Sequence, residues 1–94
     1  MDLLTSDQKN ELSANAILKE HLEAKIDYYV YIARTVRLSV PKEFTDLDRV
    51  DFVIVWINKS NRDIIGIAGR AGMSIHDVCE IYARAAVGID EQQK

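Results

Sequence analysis

The sequence predicts a mainly α, small single domain, and three observations carry that reading. The chain has 94 residues, enough for one hydrophobic core and too few for two. From Leu18 to Val40 apolar residues recur at steps of four and three, the spacing of one helix face. Helix-start residues stand at Thr5, Thr45 and Ser74, each ahead of a stretch with helical spacing or an apolar block. The composition, 48% hydrophobic and 29% charged, is that of a globular protein and excludes a disordered or collagen-like chain.

The elements follow in order. Thr5 with Gln8 three residues later has capping-box spacing and opens a long N-terminal helical segment, 6–40. Leu18, Leu22, Ile26, Tyr29, Ala33, Val36 and Val40 form its apolar seam, with Glu20, Glu23, Lys25, Asp27, Arg34 and Arg37 between them. The stretch Tyr28–Ile32 is rich in aromatic and β-branched residues, so an α+β alternative with strands near 28–40 and 50–57 stands beside the helical one. Pro41 ends the segment by removing a backbone donor and turning Val40 away from helical angles. Thr45 or Asp46 then caps an apolar central segment, 46–59, whose middle, Phe52 to Ile57, is apolar on every face. Periodicity does not decide between helix and strand there, but either way the segment belongs at the centre or at a subunit interface. Asn58 to Asn61 reads as a turn by composition. Two short helices fill 62–87, Gly88 is the expected stop, and 90–94 is an expected disordered tail.

Residues 64–81 carry the one recognisable spacing. A small residue, Ala68, stands where a second helix can cross the first. Four positions later Gly72 can take the positive φ of a tight turn, and Met73 follows to plug it. Val78 and Ile81 point back toward the first helix, while Ser74 with Asp77 forms an acidic capping box. This frame is a helix-turn-helix-like hairpin at the C-terminal end of the domain. Ile67-Ala68-Gly69-Arg70-Ala71-Gly72-Met73-Ser74 resembles the helix-turn-helix of bacterial and phage repressors, as in the lactose- and tetracycline-repressor families. The resemblance covers about 20 residues. It implies that the second helix enters the major groove, with Ser74, Ile75, His76, Cys79 and Glu80 facing the bases and Arg70 and Arg84 available to phosphates.

Charge qualifies that implication. The formal net charge is -3. Residues 1–30 hold three basic and six acidic side chains and supply the whole deficit, whereas Lys59 to Arg84 holds four basic and three acidic ones, a net of +1. A faintly basic motif with no Arg or Lys between Arg70 and Arg84 predicts weak nonspecific binding to DNA.

Other chemistry is sparse. One cysteine, Cys79, excludes an internal disulfide and fits a reducing compartment, the cytoplasm. The acidic start lacks the basic and apolar regions of a signal peptide, and the longest apolar run is far short of a membrane span. His76 and Cys79 lie three apart, but His21 is the only other histidine, so no metal and no cofactor is expected. No nucleophile and base pattern and no phosphate loop is legible, so the chain reads as non-enzymatic. The expected function is a small homodimeric DNA-binding transcriptional regulator. Leu22, Ile26, Tyr29, Phe52, Val55 and Trp56 are its expected dimer or partner interface. The alternative is an acidic protein–protein interaction module, an adaptor or inhibitor that has the hairpin shape and binds a protein partner through Phe52, Val55 and Trp56.

Overall fold

The computed structural model of the chain describes residues 2–60 and 62–93. Among the described residues it contains five helices, α1 (Ser6–Ala14), α2 (Ala16–Ser39), α3 (Asp46–Ser60), α4 (Asp63–Ala71) and α5 (Ile75–Gln92), and no strand. The domain is therefore mainly α, and both stretches offered as strands are helical. Residues 28–39 lie within α2 and 50–57 within α3. Aromatic and β-branched residues are tolerated there because Tyr29, Val30, Ile32, Val53 and Ile57 gain burial on helix faces, which outweighs a weak local preference.

Short-range capping sets most helix ends. The Thr5 hydroxyl accepts from the Gln8 amide at 3.1 Å while the Gln8 side chain accepts from the Thr5 amide at 3.0 Å, the reciprocal box expected for α1. Thr45 and Asp48 make the same exchange ahead of α3, at 3.1 and 2.9 Å. Ser74 accepts from the Asp77 amide at 3.0 Å and starts α5. At the end of α4, Gly72 adopts φ 70°, and the Met73 amide donates back to the Ala68 carbonyl at 3.0 Å. A side chain at position 72 would be strained by that left-handed backbone.

The segment expected to run unbroken over 6–40 is interrupted at Asn15, which closes α1 and caps α2. Its side-chain oxygen accepts from the Leu18 amide at 3.3 Å, and its side-chain nitrogen donates to the Ala71 carbonyl, 3.0 Å away at the end of α4. One side chain thus satisfies orphan groups on two helices. Asn15→Ala is expected to lower stability by about 1–2 kcal/mol, the usual cost of a lost N-cap and the upper part of that range because a second bond is lost. A thermal melt checks this, and an unchanged midpoint contradicts it.

The core forms around α5, which packs against α2, α3 and α4. Tyr29 and Tyr82 stack at its middle with ring centroids 5.4 Å apart, and His21 stacks on Tyr82 at 5.7 Å. The Tyr82 hydroxyl donates to the Leu18 carbonyl at 2.7 Å, joining the end of the aromatic stack to the first turns of α2. The seam of α2 is therefore an internal surface. Leu22 and Tyr29 are buried, so these two do not belong to an exposed interface, while Ile26 is partly buried against the same core.

The C-terminal end departs most from expectation. Gly88 lies buried inside α5, which continues to Gln92, because its last turn is held by charge. The Asp90 carboxylate, almost without solvent contact, accepts from the Arg37 guanidinium at 2.7 Å, with Arg34 3.7 Å away. Glu91 accepts from Arg49 at 2.6 Å, and Arg49 also bonds the Phe44 carbonyl and pairs with Asp46. Positions 90–93 are thus ordered structure and no tail, while Lys94 lies outside the described residues. The expected turn is helical through Ser60, and Asn61 lies outside the described residues.

Candidate functional site

Two surfaces compete for a functional role: the start of α5 and the outer face of α3. At the first, Ser74, Ile75 and His76 are exposed at the start of α5, and Arg70 is exposed near the end of α4. Two of the expected groove-facing residues, Cys79 and Glu80, and one expected phosphate contact, Arg84, are engaged within the fold. Cys79 is 1% exposed and belongs to the core with Val78 and Ile81. Glu80 is half-buried and accepts from the Gln8 side chain of α1 at 2.7 Å. Arg84 is half-buried and donates to the Leu3 carbonyl at 2.8 Å, so it is spent on the N-terminal segment and withdrawn from phosphates.

Cys79 is turned into the core, whereas Glu80 is engaged by α1 and Arg84 by the segment that leads into it. Residues 2–4 lie beside the second half of α5, at Arg84, Ala85 and Ile89, while α1 borders its first turns, and the depression between α1 and α5 is lined by Asp7, Gln8, Glu11, Gly72, Met73, Ser74, Asp77, Glu80 and Ile81. Four carboxylates in that depression meet no Lys or Arg among its lining residues. Such a surface repels the phosphate backbone on which DNA affinity largely depends. Residue spacing around position 72 does not reveal this cover, because its bonds span more than seventy positions of sequence. Ala68, Val78 and Ile81 are buried, and Met73 is partly buried beside them.

The second surface is apolar and open. On α3, Arg49, Val50, Val53 and Ile57 face inward, which leaves Leu47, Phe52, Val55 and Trp56 outside. Phe52 and Val55 are 49% and 52% exposed and Trp56 is 38% exposed. Phe52, Val55, Trp56, Lys59 and Ser60 line one shallow hollow, and Phe44 packs beside Phe52 with centroids 5.6 Å apart. Lys59 and Ser60 also border the hollow that contains Tyr28 and Lys25 of α2, so the apolar face reaches toward Tyr28, itself exposed. Of the six expected interface residues, the structure brings Phe52, Val55 and Trp56 together on this face, places Leu22 and Tyr29 in the core, and leaves Ile26 partly buried at its edge.

Titratable groups add little chemistry. Burial pushes the Cys79 thiol up, so it is held protonated and unreactive. The Tyr82 phenol is also pushed up, mainly by burial. No cluster of three or more His, Cys, Asp or Glu able to hold a metal ion occurs among the described residues. No helix among the described residues is long and apolar enough to cross a membrane.

Burial pushes the His21 imidazole below its ordinary 6.5, opposed by Asp63 and assisted by Lys25 and Arg70. The unfolded chain then takes up a proton more readily than the folded one. This group therefore costs no stability well above pH 6.5 and destabilises progressively as pH falls through 6.5 toward the lower folded value. His21→Gln is expected to flatten the pH dependence of the urea midpoint across that window. Parallel wild-type and variant curves contradict the assignment.

Compared with known proteins, the chain matches no family model, no curated sequence and no solved structure.

Proposed function

We propose that this chain is a non-enzymatic protein–protein interaction module that works through the outer face of α3. The observation that carries this reading is the contrast between the two surfaces. The start of α5 is ringed by acid and partly covered by α1, whereas α3 presents Phe52, Val55 and Trp56 to solvent on one continuous face. Aromatic residues grouped on an exposed helix face supply most of the energy of helix-mediated association, because they bury large apolar area with few rotors. Phe52, Val55 and Trp56 all lie outside the core cluster. Their joint replacement, Phe52→Ser with Trp56→Ser, is expected to abolish association while leaving the melting curve close to wild type.

A second reading, a DNA-binding regulator, is favoured by one feature. Ser74, Ile75 and His76 form a capped, exposed start to α5, with the Arg70 side chain nearby in sequence and also exposed. One titration separates the two. The interaction module leaves duplex DNA unshifted even at low salt. Retention that weakens with salt, and weakens further in Arg70→Ala, overturns the interaction reading and supports the regulator.

A further inference from the structure

We propose that the occupant of the α3 face is the α3 of a second copy of this chain, packed antiparallel about a twofold axis. This rests on the interaction reading above and names the partner. The outermost line of α3 is Asp48, Phe52, Val55 and Lys59, spaced by four, three and four residues, and all four side chains are exposed. That spacing is the seam of a helix pair, in which each side chain meets its counterpart across the axis. The order of chemistry along the seam is acid, apolar, apolar, base. In an antiparallel pair the position numbers of facing residues sum to a constant. Seating Phe52 on the second copy's Val55 therefore places Asp48 opposite the second copy's Lys59, and the twofold repeats both contacts. Two apolar layers are then closed at each end by an ion pair. A parallel pair instead sets Asp48 against Asp48 and Lys59 against Lys59, two like-charge contacts that disfavour it. Trp56, one position from Val55, flanks the seam and covers one edge of the apolar layers.

The pattern is self-complementary, which singles out a second copy over an unrelated partner. A foreign helix would have to match the same spacing in reverse charge order, and the chain's own α3 already does. A helix of about four turns buries less than the roughly 1,200–2,000 Å² of a standard stable interface, so the dimer is expected to dissociate on the order of 10 µM.

Sedimentation of the full chain between about 1 and 200 µM tests the proposal. The expected result is a monomer–dimer equilibrium. Asp48→Lys and Lys59→Asp are each expected to weaken it about tenfold or more, since each turns two attractive pairs into repulsive ones. Asp48 also caps α3 through Thr45, so Asp48→Lys alone mixes a local effect with the pairing effect. An equimolar mixture of the two variants removes the ambiguity. At one end of the mixed dimer the introduced lysine faces the introduced aspartate, and at the other the retained Lys59 of one chain faces the retained Asp48 of the other. The mixed dimer is therefore expected to return to near wild-type strength, which no repair of the cap can achieve. Single variants that dimerise as well as wild type, or a mixture that stays dissociated, overturn the antiparallel pairing. A chain that remains monomeric throughout, yet binds a foreign protein in a Phe52-dependent way, overturns this inference and leaves the interaction reading standing.

Discussion

Tyr82→Ala is expected to bring the domain to the edge of unfolding at 25 °C. Tyr82 has no solvent exposure, stacks on Tyr29 and His21, and bonds the Leu18 carbonyl. Truncating a buried aromatic residue costs about 3–5 kcal/mol, and loss of the stacked pair adds about 0.5–1.5 kcal/mol. Stability of roughly 0.05–0.15 kcal/mol per residue gives a 94-residue chain about 5–14 kcal/mol in total, so the substitution removes about a quarter or more of it. Urea unfolding followed by circular dichroism checks this. Tyr82→Phe separates the two contributions, because it keeps the ring and removes only the hydroxyl, at about 1 kcal/mol. A midpoint for Tyr82→Ala within experimental error of wild type would show that the stack is not the centre of the core.

Asp90→Ala has the second largest expected effect. Its carboxylate is almost fully enclosed and holds Arg37 in direct contact with Arg34 close by, and in the variant the Arg37 guanidinium loses this carboxylate. Contact with that carboxylate raises the Arg37 guanidinium further above its already high ordinary value, as expected for a cation stabilised by its neighbour. Breaking a wholly buried pair costs about 3–5 kcal/mol, but Arg37 keeps some contact with water, so about 2–3 kcal/mol is expected. Asp90→Asn preserves shape and one acceptor and is expected to fall between wild type and Asp90→Ala. Amide exchange at the end of α5 is the informative measurement, since the variant should expose that last turn before the rest of the helix. Uniform protection along α5 in the variant would contradict a local anchor.

What is legible in the sequence is mostly short in range. Thr5 with Gln8, Thr45 ahead of α3, Ser74 with Asp77, the stop at Pro41 and the left-handed turn at Gly72 all rest on contacts within a few residues, and spacing captures those. The α2 seam is also legible as a stripe, but the surface it meets is not. An apolar stripe reads the same whether it covers a neighbouring helix or a second chain, and so spacing sends Tyr29 outward although it meets Tyr82. Asn15 is a residue type suited to an N-cap, and its bond to the Leu18 amide is local, but its second bond, to Ala71 fifty-six positions away, is beyond the reach of spacing. Spacing after Gly72 sets Cys79 and Glu80 at a groove and Arg84 near phosphates, whereas Cys79 turns into the core, α1 engages Glu80 and the segment before α1 engages Arg84. The acidic end of the chain reads as a solvated tail because its basic partners, Arg37 and Arg49, sit on other helices. On α3, the residues that spacing alone leaves unassigned between core and surface, Phe52, Val55 and Trp56, are the exposed ones. Asp48 and Lys59 bracket them along the same face.

The clamp made by Asp90 and Glu91 also bears on synthesis. These two residues tie the end of α5 to Arg37 of α2 and Arg49 of α3, and α5 packs against α2, α3 and α4 alike. Until residue 91 has left the ribosome, α2 and α3 have made their local turns but have little to close upon. Folding is therefore expected to wait for nearly the whole domain to emerge. A nascent chain halted before that point keeps its apolar faces open to chaperones, and one released after it closes in a single step.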